Sequence, residues 1–341
     1  MSEPFSGIVS PTGDALARAA SRLRDGELVA FPTETVYGLG ADAASADAVR
    51  RIFTVKRRPA DHPVIVHVPD ATHVNRWARD VPPGAQALAE AFWPGPLTLI
   101  LPRAPHVSDA ITGGQDGVGL RVPSHPVAQA LLAAFAAIGG EGIAAPSANR
   151  FGHVSPTTAT HVEADLDGEV AMILDGGACE VGIESTIVAF AHGRPLLLRP
   201  GGIGIDELAR VLRMRPRTAD ADAPRASGTL ASHYATRTQA FLVAADLVRT
   251  EIAQRQDRDE RVAVLARTLD APPHFDGPWM RAPLDARRYA HDLYANLRQL
   301  DAAGTDAILI ESIPETPEWL AVHDRLTRAT HSDGQDDRDQ P

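Results

Sequence analysis

The chain has 341 residues, 44% of them apolar, enough for about two domains with real cores. A formal net charge of −11 and a pI near 5.6 argue against a protein whose main task is gripping nucleic acid, since such proteins are ordinarily basic. The single cysteine, Cys179, excludes an internal disulfide and any cysteine-cluster zinc site, and fits a reducing compartment.

Along the chain, MSEPFSGIVSPTG lacks a basic region followed by an apolar one, so no signal peptide is expected. Ala15, Leu16, Ala19 and Leu23 recur at helical spacing. Leu28–Phe31 reads as a short buried strand, and Ser45 as the cap of a helix carrying Ala48, Val49 and Ile52. Strand patterns follow at 64–68, 97–101 and 118–122, with a helix at 83–93 and another from Pro126 to Phe135 behind a Ser124 cap. Further strands are read at 143–145, 170–174, 184–190 and 195–199. The longest apolar run, Ala130–Ile138, is too short to span a bilayer. A soluble, cytoplasmic protein with no membrane partner is expected. Many strands with only some helices between them predict an α/β fold built on a twisted mixed sheet.

The pattern changes after Leu212. RMRPRTADADAPRASG (213–228) has no periodicity and reads as a linker, long for the interior of a compact domain. Beyond it, strands at 240–245, 262–266 and 307–312 alternate with helices near 246–256, 285–301 and 317–328, the signature of a smaller Rossmann-like parallel sheet. The expected domains are 7–205, a linker over 206–236, 237–328, and a disordered acidic tail over 329–341.

Several familiar motifs fail on context. Gly38-x-Gly40-x-x-Ala43 formally matches a dinucleotide fingerprint, but PTETV separates it from the preceding apolar strand. A Walker A loop needs Gly-Lys-Ser/Thr, and the only lysine follows Val55. GGIG (201–204) reads as a turn entering a helix at 205–212.

Of the 33 basic residues, 32 are arginine; the exception is Lys56. Either GC-rich coding left one lysine by chance, or a compact, flexible ammonium is required there. Polar clusters fall just after strands: PTETVYGLG (32–40), KRRPADHPVIVHV (56–68), APSANRFGHVSPT (145–157), GIESTIV (182–188) and LLLRPGG (197–202). Strand ends are where α/β proteins bind ligands. Lys56, Arg57 and Arg58 suit a polyphosphate, or else the solvated end of a helix. Arg121 inside an apolar strand demands a partner. His67 is either a satisfied core histidine or a site residue. Glu34 is either a base or an acceptor of structural N–H bonds, and Ser155-Pro156 doubles as an ordinary helix start.

FPTETVYGLGADA, K-x-R-P with P-x-I-V-H downstream, W-P-G-P-L-T, R-V-P-S-H-P, A-P-S-A-N-R-F-G-x-x-S-P-T and G-x-E-S-T-I-V occur in that order. Together they resemble the YrdC-like threonylcarbamoyl-AMP synthases, in the long form with an additional C-terminal domain. The resemblance covers about residues 8–205, and more loosely His233-Tyr234-Ala235 and the later α/β segment. It implies synthesis of L-threonylcarbamoyl-adenylate from L-threonine, bicarbonate or CO2 and ATP, with release of pyrophosphate. That is the first step toward N6-threonylcarbamoyladenosine at position 37 of tRNAs reading ANN codons.

By resemblance Thr35, His67, Arg121, Ser185 and the backbone of Ala145 surround threonine. Lys56, Arg58, His62, Gly117, Ser147, Ser155, Arg199 and Tyr234 fall at ATP. Lys56, Arg58 and His67 are the catalytic candidates. Mg2+ would come with ATP, held mainly through phosphates and water and not by a protein cage. The partner expected is a downstream tRNA threonylcarbamoyl-transferase complex, with direct tRNA binding weak or absent. The linker with Tyr234 would be an active-site lid. His62, where the family more often has Asn, and Gly117, where threonine is common, depart from the pattern. The alternative is an RNA-binding YrdC-fold protein without synthase activity.

Overall fold

The computed structural model describes residues 7–191, 193–219, 223–228 and 233–331. They fall into two compact units, Met1–Phe151 with Ser155–Thr229, and Gly152–Val154 with Leu230–Pro341.

The first unit is built on one mixed sheet. In chain order its strands are β1 (Ile8–Val9), β2 (Val29–Phe31), β3 (Gly38–Asp42), β4 (Ile65–His67), β5 (Leu97–Pro102), β6 (Gly117–Arg121), β7 (Ile143–Ala144), β8 (Met172–Leu174), β9 (Thr186–Ala191), β10 (Arg194–Arg199) and β11 (Arg217–Thr218). They lie side by side as β1-β8-β2-β3-β7-β4-β6-β5-β9-β10-β11. The central strands β2, β4 and β7 are buried on both faces, which explains their unbroken apolar runs. Helices Gly13–Arg24 and Pro126–Ala137 cover β2, β7 and β8, packing Leu23, Leu131, Leu132 and Phe135 against Phe31, Ile143 and Met172.

The formal dinucleotide fingerprint is in fact strand β3, antiparallel to β2 and β7. Its glycine serves close packing. A Cβ on Gly40 would come within 2.8 Å of Ile143 Cγ2 and 2.9 Å of Phe31 Cε1. A strand of small residues carries little β-propensity, so the sequence pattern hid it. Ser45 caps Ala46–Lys56 as expected, its side chain accepting from Ala48 N. The cap of Pro126–Ala137 is His125, not Ser124. Pro126 takes the first helical position, which moves the cap to the preceding residue, and His125 Nδ1 accepts from Val127 N. Ser155-Pro156 begins no helix; that helix starts at Ala159 behind Thr158.

The units divide at other places than the domains read from the sequence. Residues 205–229 belong to the first unit: helix Ile205–Leu212 packs on helix Pro83–Phe92, and β11 pairs with β10. Gly204 caps the 205–212 helix, with the Glu207 carboxylate accepting from its N–H. Two strand residues are too few to give a periodic signal, so the segment reads as structureless.

The second unit holds a four-stranded sheet, β12 (Ala240–Val243), β13 (Val262–Ala266), β14 (Trp279–Arg281) and β15 (Ala307–Glu311), ordered β12-β15-β13-β14 and parallel throughout. Gly152–Val154 joins it through an Ala235 N–H to Gly152 bond of 2.8 Å and the Arg298 guanidinium on the Val154 carbonyl. Helix Leu320–Thr330 runs into the stretch read as a tail, of which residues 332–341 lie outside the described residues. No helix among the described residues is long and apolar enough to cross a membrane.

Candidate functional site

Strand order brings distant polar residues to neighbouring strand ends. β4 lies between β6 and β7, so His67 sits opposite both Arg121 and Ile143. The Ala145 N–H, just past β7, donates to Ile65 O at 2.9 Å. Residues 32–37 lead from β2 to β3 beside them. Thr33 folds this turn, donating to Val36 O at 2.6 Å and meeting the Thr35 hydroxyl at 2.8 Å. Arg121 Nη1 then donates to Thr35 Oγ1 at 2.9 Å, and Nη2 stands 2.8 Å from Glu34 Oε1. The hydroxyls clustered in PTETV hold this turn against Arg121.

The buried partner that Arg121 demanded is thus Glu34. Both are about 4% exposed on their side chains. The pair is close but poorly aligned, and neither Glu34 oxygen has a hydrogen bond of good geometry. His67 is buried with Nδ1 likewise unmatched, and its pKa is pushed down to about 3, first by burial and then by the Arg121 charge. It is therefore neutral near pH 7, suited to hydrogen bonding and a poor general base. Phe31 meets its ring edge-on at 6.1 Å. Tyr37 is wholly buried packing: its hydroxyl donates to Gly177 O at 2.8 Å and accepts from Gly176 N at 3.2 Å.

The second cluster lies at the end of helix Ala46–Lys56. Arg57 takes the left-handed cap conformation (φ 53°) that stops the helix. Lys56 is 2% exposed; its ammonium donates to Ser147 O at 2.6 Å and to Asn149 O. Burial first, and the neighbouring Arg58 second, lower its pKa well below the ordinary lysine value. Arg58 donates to Pro63 O at 2.8 Å and faces the Phe53 ring. Burial and Arg58 also lower the pKa of His62, whose ring meets Phe151 edge-on.

A third cluster forms where β5 and β9 run in parallel. Ser185 Oγ and Thr98 Oγ1 are 2.8 Å apart. Arg199 donates to Ser185 O at 2.9 Å and to Ser227 O at 2.6 Å. Ser155, read as an ATP position that doubles as a helix start, donates to Glu184 at 2.6 Å in a buried contact. Residues 223–228 lie over this side. The Arg225 guanidinium donates to Asp61 and Gly113 O, each at 3.0 Å, while its backbone N–H donates to the Gln115 side-chain oxygen and its carbonyl accepts from the Gln115 amide nitrogen.

Gly117 begins β6, four residues from Arg121 and so roughly 13 Å along the strand. A Cβ there would come within 2.8 Å of Ile100 Cγ2, so a side chain at 117 requires the isoleucine to shift. Tyr234 belongs to the second unit, where it is buried, stacks on Tyr294 at 5.5 Å and carries the Arg325 guanidinium over its ring. Its φ of 63° is rare for an aromatic residue. Thr98, Glu184 and Ser227 were not singled out from the sequence. Thr98 did carry a signal, being a lone hydroxyl in LTLIL; Ser227 carried none.

Residues 21–201 match the Sua5–YciO–YrdC family, described as "Telomere recombination", and residues 203–331 match the threonylcarbamoyl-AMP synthase C-terminal domain. The threonylcarbamoyl-AMP synthase of Pyrococcus abyssi is 40% identical over 92% of this chain and 93% of its own length. This chain belongs to the threonylcarbamoyl-AMP synthases. The Bacillus subtilis synthase is 39% identical, covering 94% of each chain. The crystal structure of P. abyssi Sua5 complexed with L-threonine superposes with a TM-score of 0.86, at 37% identity, over 96% of this chain and 97% of that one.

Acid should expose the state of His67 in this synthase. Its folded pKa lies near 3 against an unfolded 6.5. The unfolded chain therefore binds more protons between those values, and stability, complete above pH 6.5, falls as pH drops toward 3. At pH 4.5 the loss from this residue alone is about 2–3 kcal/mol. Chemical denaturation of wild type and His67→Asn at pH 7 and 4.5 should show a markedly smaller acid loss in the variant. Equal losses would show that His67 is not held neutral.

Proposed function

We propose that the chain carries out threonylcarbamoyl-AMP synthesis at the strand ends that carry these three clusters. The activity itself, the first step of threonylcarbamoyladenosine formation in tRNA, goes with the family. The single observation that carries the assignment of the site is a buried guanidinium, Arg121, held at a strand end by Thr35.

Arg121 receives the threonine carboxylate, since a guanidinium fork matches two oxygens. Thr35, Ser185, neutral His67 and the Ala145 backbone bond the remaining polar groups. Lys56, Arg58 and Arg199 gather the triphosphate, with Ser147, Ser155, His62 and the Gly117 backbone on the nucleotide side. Threonine's neutral amine attacks CO2 or bicarbonate, and the carbamate oxygen attacks the α-phosphate as pyrophosphate leaves. Both steps depend on positioning and on charge neutralisation in a site closed to water, without a covalent enzyme intermediate. The described residues contain no group of three or more His, Cys, Asp or Glu placed to hold a metal. In this reading Mg2+ would travel with the triphosphate, bound by phosphate oxygens and water, and no step is assigned to it. The adenylate passes to a cytoplasmic tRNA threonylcarbamoyl-transferase complex; the acidic chain itself needs little or no hold on tRNA.

Purified protein should release pyrophosphate only when L-threonine, bicarbonate and ATP are all present. Release without threonine would overturn the substrate set, and tight, salt-sensitive tRNA binding without turnover would restore the RNA-binding alternative.

Residues 223–228 serve in this reading as a lid on the nucleotide. The bonds from Arg199 to Ser227 and from Arg225 to Asp61 support it. Arg225→Ala loses an exposed pair worth about 1 kcal/mol or less. It should raise the KM for ATP a few-fold and leave the KM for threonine unchanged; unaltered ATP kinetics would count against the lid.

A further inference from the structure

Threonine enters as a zwitterion, yet only its free amine can attack carbon. Some group must take a proton from its ammonium inside a water-poor site. The buried basic groups around Arg121 are few. His67, with its pKa near 3, holds a proton too weakly. Lys56 already donates to two carbonyls. The Cys179 thiol, pushed up to about 12 by burial and by Glu34, stays protonated. His125 Nδ1 is engaged with the Val127 N–H.

Glu34 differs from all of these. Its side chain is 4% exposed. The surrounding hydroxyls bond one another or Arg121, not its carboxylate, and both its oxygens lack an aligned donor. Its backbone carbonyl, by contrast, is fixed by a 2.7 Å bond from Val181 N. The carboxylate is thus held in place 2.8 Å from Arg121 with its acceptor capacity unused. The charged and titratable groups facing it are Arg121, His125 and Cys179.

We propose that Glu34 accepts the proton from threonine's ammonium, and that seating the substrate carboxylate on Arg121 triggers the transfer. This rests on the seat for threonine proposed above. Two carboxylates on one guanidinium repel, and the repulsion is relieved when one takes a proton. The ammonium hangs from the carbon next to the substrate carboxylate, so it arrives beside Glu34. One N–H bond breaks, an O–H bond forms on Glu34, and nitrogen keeps the electron pair. The amine then joins bicarbonate to give carbamate and water, and the proton leaves Glu34 for solvent after product release. The substrate itself therefore switches on its own base, while in the free enzyme Arg121 faces the Glu34 carboxylate at 2.8 Å.

The test compares wild type, Glu34→Gln, Glu34→Asp and Arg121→Met by pyrophosphate release at pH 7 to 9, with thermal midpoints recorded for each. Glu34→Gln should keep its fold and a threonine KM within about tenfold of wild type, and lose about 100-fold or more in kcat at pH 7. That deficit should shrink about tenfold per pH unit as solution deprotonates the ammonium. Glu34→Asp should retain part of the rate. A kcat within threefold of wild type, or a deficit unchanged from pH 7 to 9, overturns the assignment. If Glu34→Gln does not fold, Glu34→Asp decides, its kcat falling with a pH-dependent deficit or not. Arg121→Met separates the two readings. Unchanged threonine affinity there removes the seat. Lost affinity there, with Glu34→Gln at wild-type rate, leaves the seat and removes the base.

Discussion

Arg121→Met should lower kcat/KM for threonine about 1,000-fold or more, with the loss largely in threonine binding. The guanidinium is 4% exposed and contacts Thr35 at 2.9 Å, Glu34 at 2.8 Å and the Gly95 carbonyl at 3.4 Å. A charge-assisted bond in such a place is worth about 1.5–3 kcal/mol, and two to one carboxylate account for a loss of that size. Methionine keeps the apolar length but leaves the Glu34 charge buried and unmatched, which costs about 3–5 kcal/mol of stability. The double variant Arg121→Met/Glu34→Gln removes both charges. It should recover most of the stability and none of the threonine binding, separating folding from recognition. Arg121→Lys should fall between, because an ammonium offers no planar fork. A folded Arg121→Met with wild-type threonine KM would refute the seat.

Lys56→Met should reduce kcat/KM for ATP by a similar factor. The ammonium is buried beside Arg58, and both the burial and that charge lower its pKa. The arrangement is costly in the free enzyme and is relieved when polyphosphate anions approach. Methionine also leaves the carbonyls of Ser147 and Asn149 without their donor, at about 1–3 kcal/mol each. Lys56→Arg should not rescue activity, since a planar fork does not fit a slot shaped for a point donor. The sign of the linkage is a further check. With a folded pKa below the unfolded one, the unfolded chain binds more protons in that window, so the contribution to stability rises with pH there. ATP favours the charged form, so its binding should take up a proton and weaken as the lysine titrates at alkaline pH. Calorimetry in buffers of different ionisation enthalpy measures that uptake. Its absence in wild type, or its persistence in Lys56→Met, would exclude Lys56 as the titrating group.

Elements with clear periodicity were legible. Helix 83–92, strands 97–102 and 262–266 and helix 286–301 fall within a residue or two of their patterns. Strand β3 was not, because Gly-Leu-Gly-Ala-Asp carries neither alternation nor β-branched residues, and only its packing against Phe31 and Ile143 makes it a strand. The linker read over 206–236 hid strand β11, whose two residues give no periodic signal and which pairs with β10. The site was legible in part. Hydroxyls, Lys56 and arginines after strands stood out as residue types in unexpected places. Their partners did not, since Arg121 and Glu34, or Lys56 and Ser147, are some 90 residues apart along the chain.

The sequence by itself determined the strands and helices with a clear period, the resemblance to the threonylcarbamoyl-AMP synthases, and that one lysine stands alone among the basic residues. Those are local properties: period, turn chemistry and ordered motifs. Only the tertiary structure decided that the hydroxyls of PTETV fold a turn onto Arg121, that the buried guanidinium is matched by Glu34, and that His67 is neutral. Charge pairing and burial depend on which strands become neighbours, and β4, β6 and β7 meet through crossovers that no local pattern encodes.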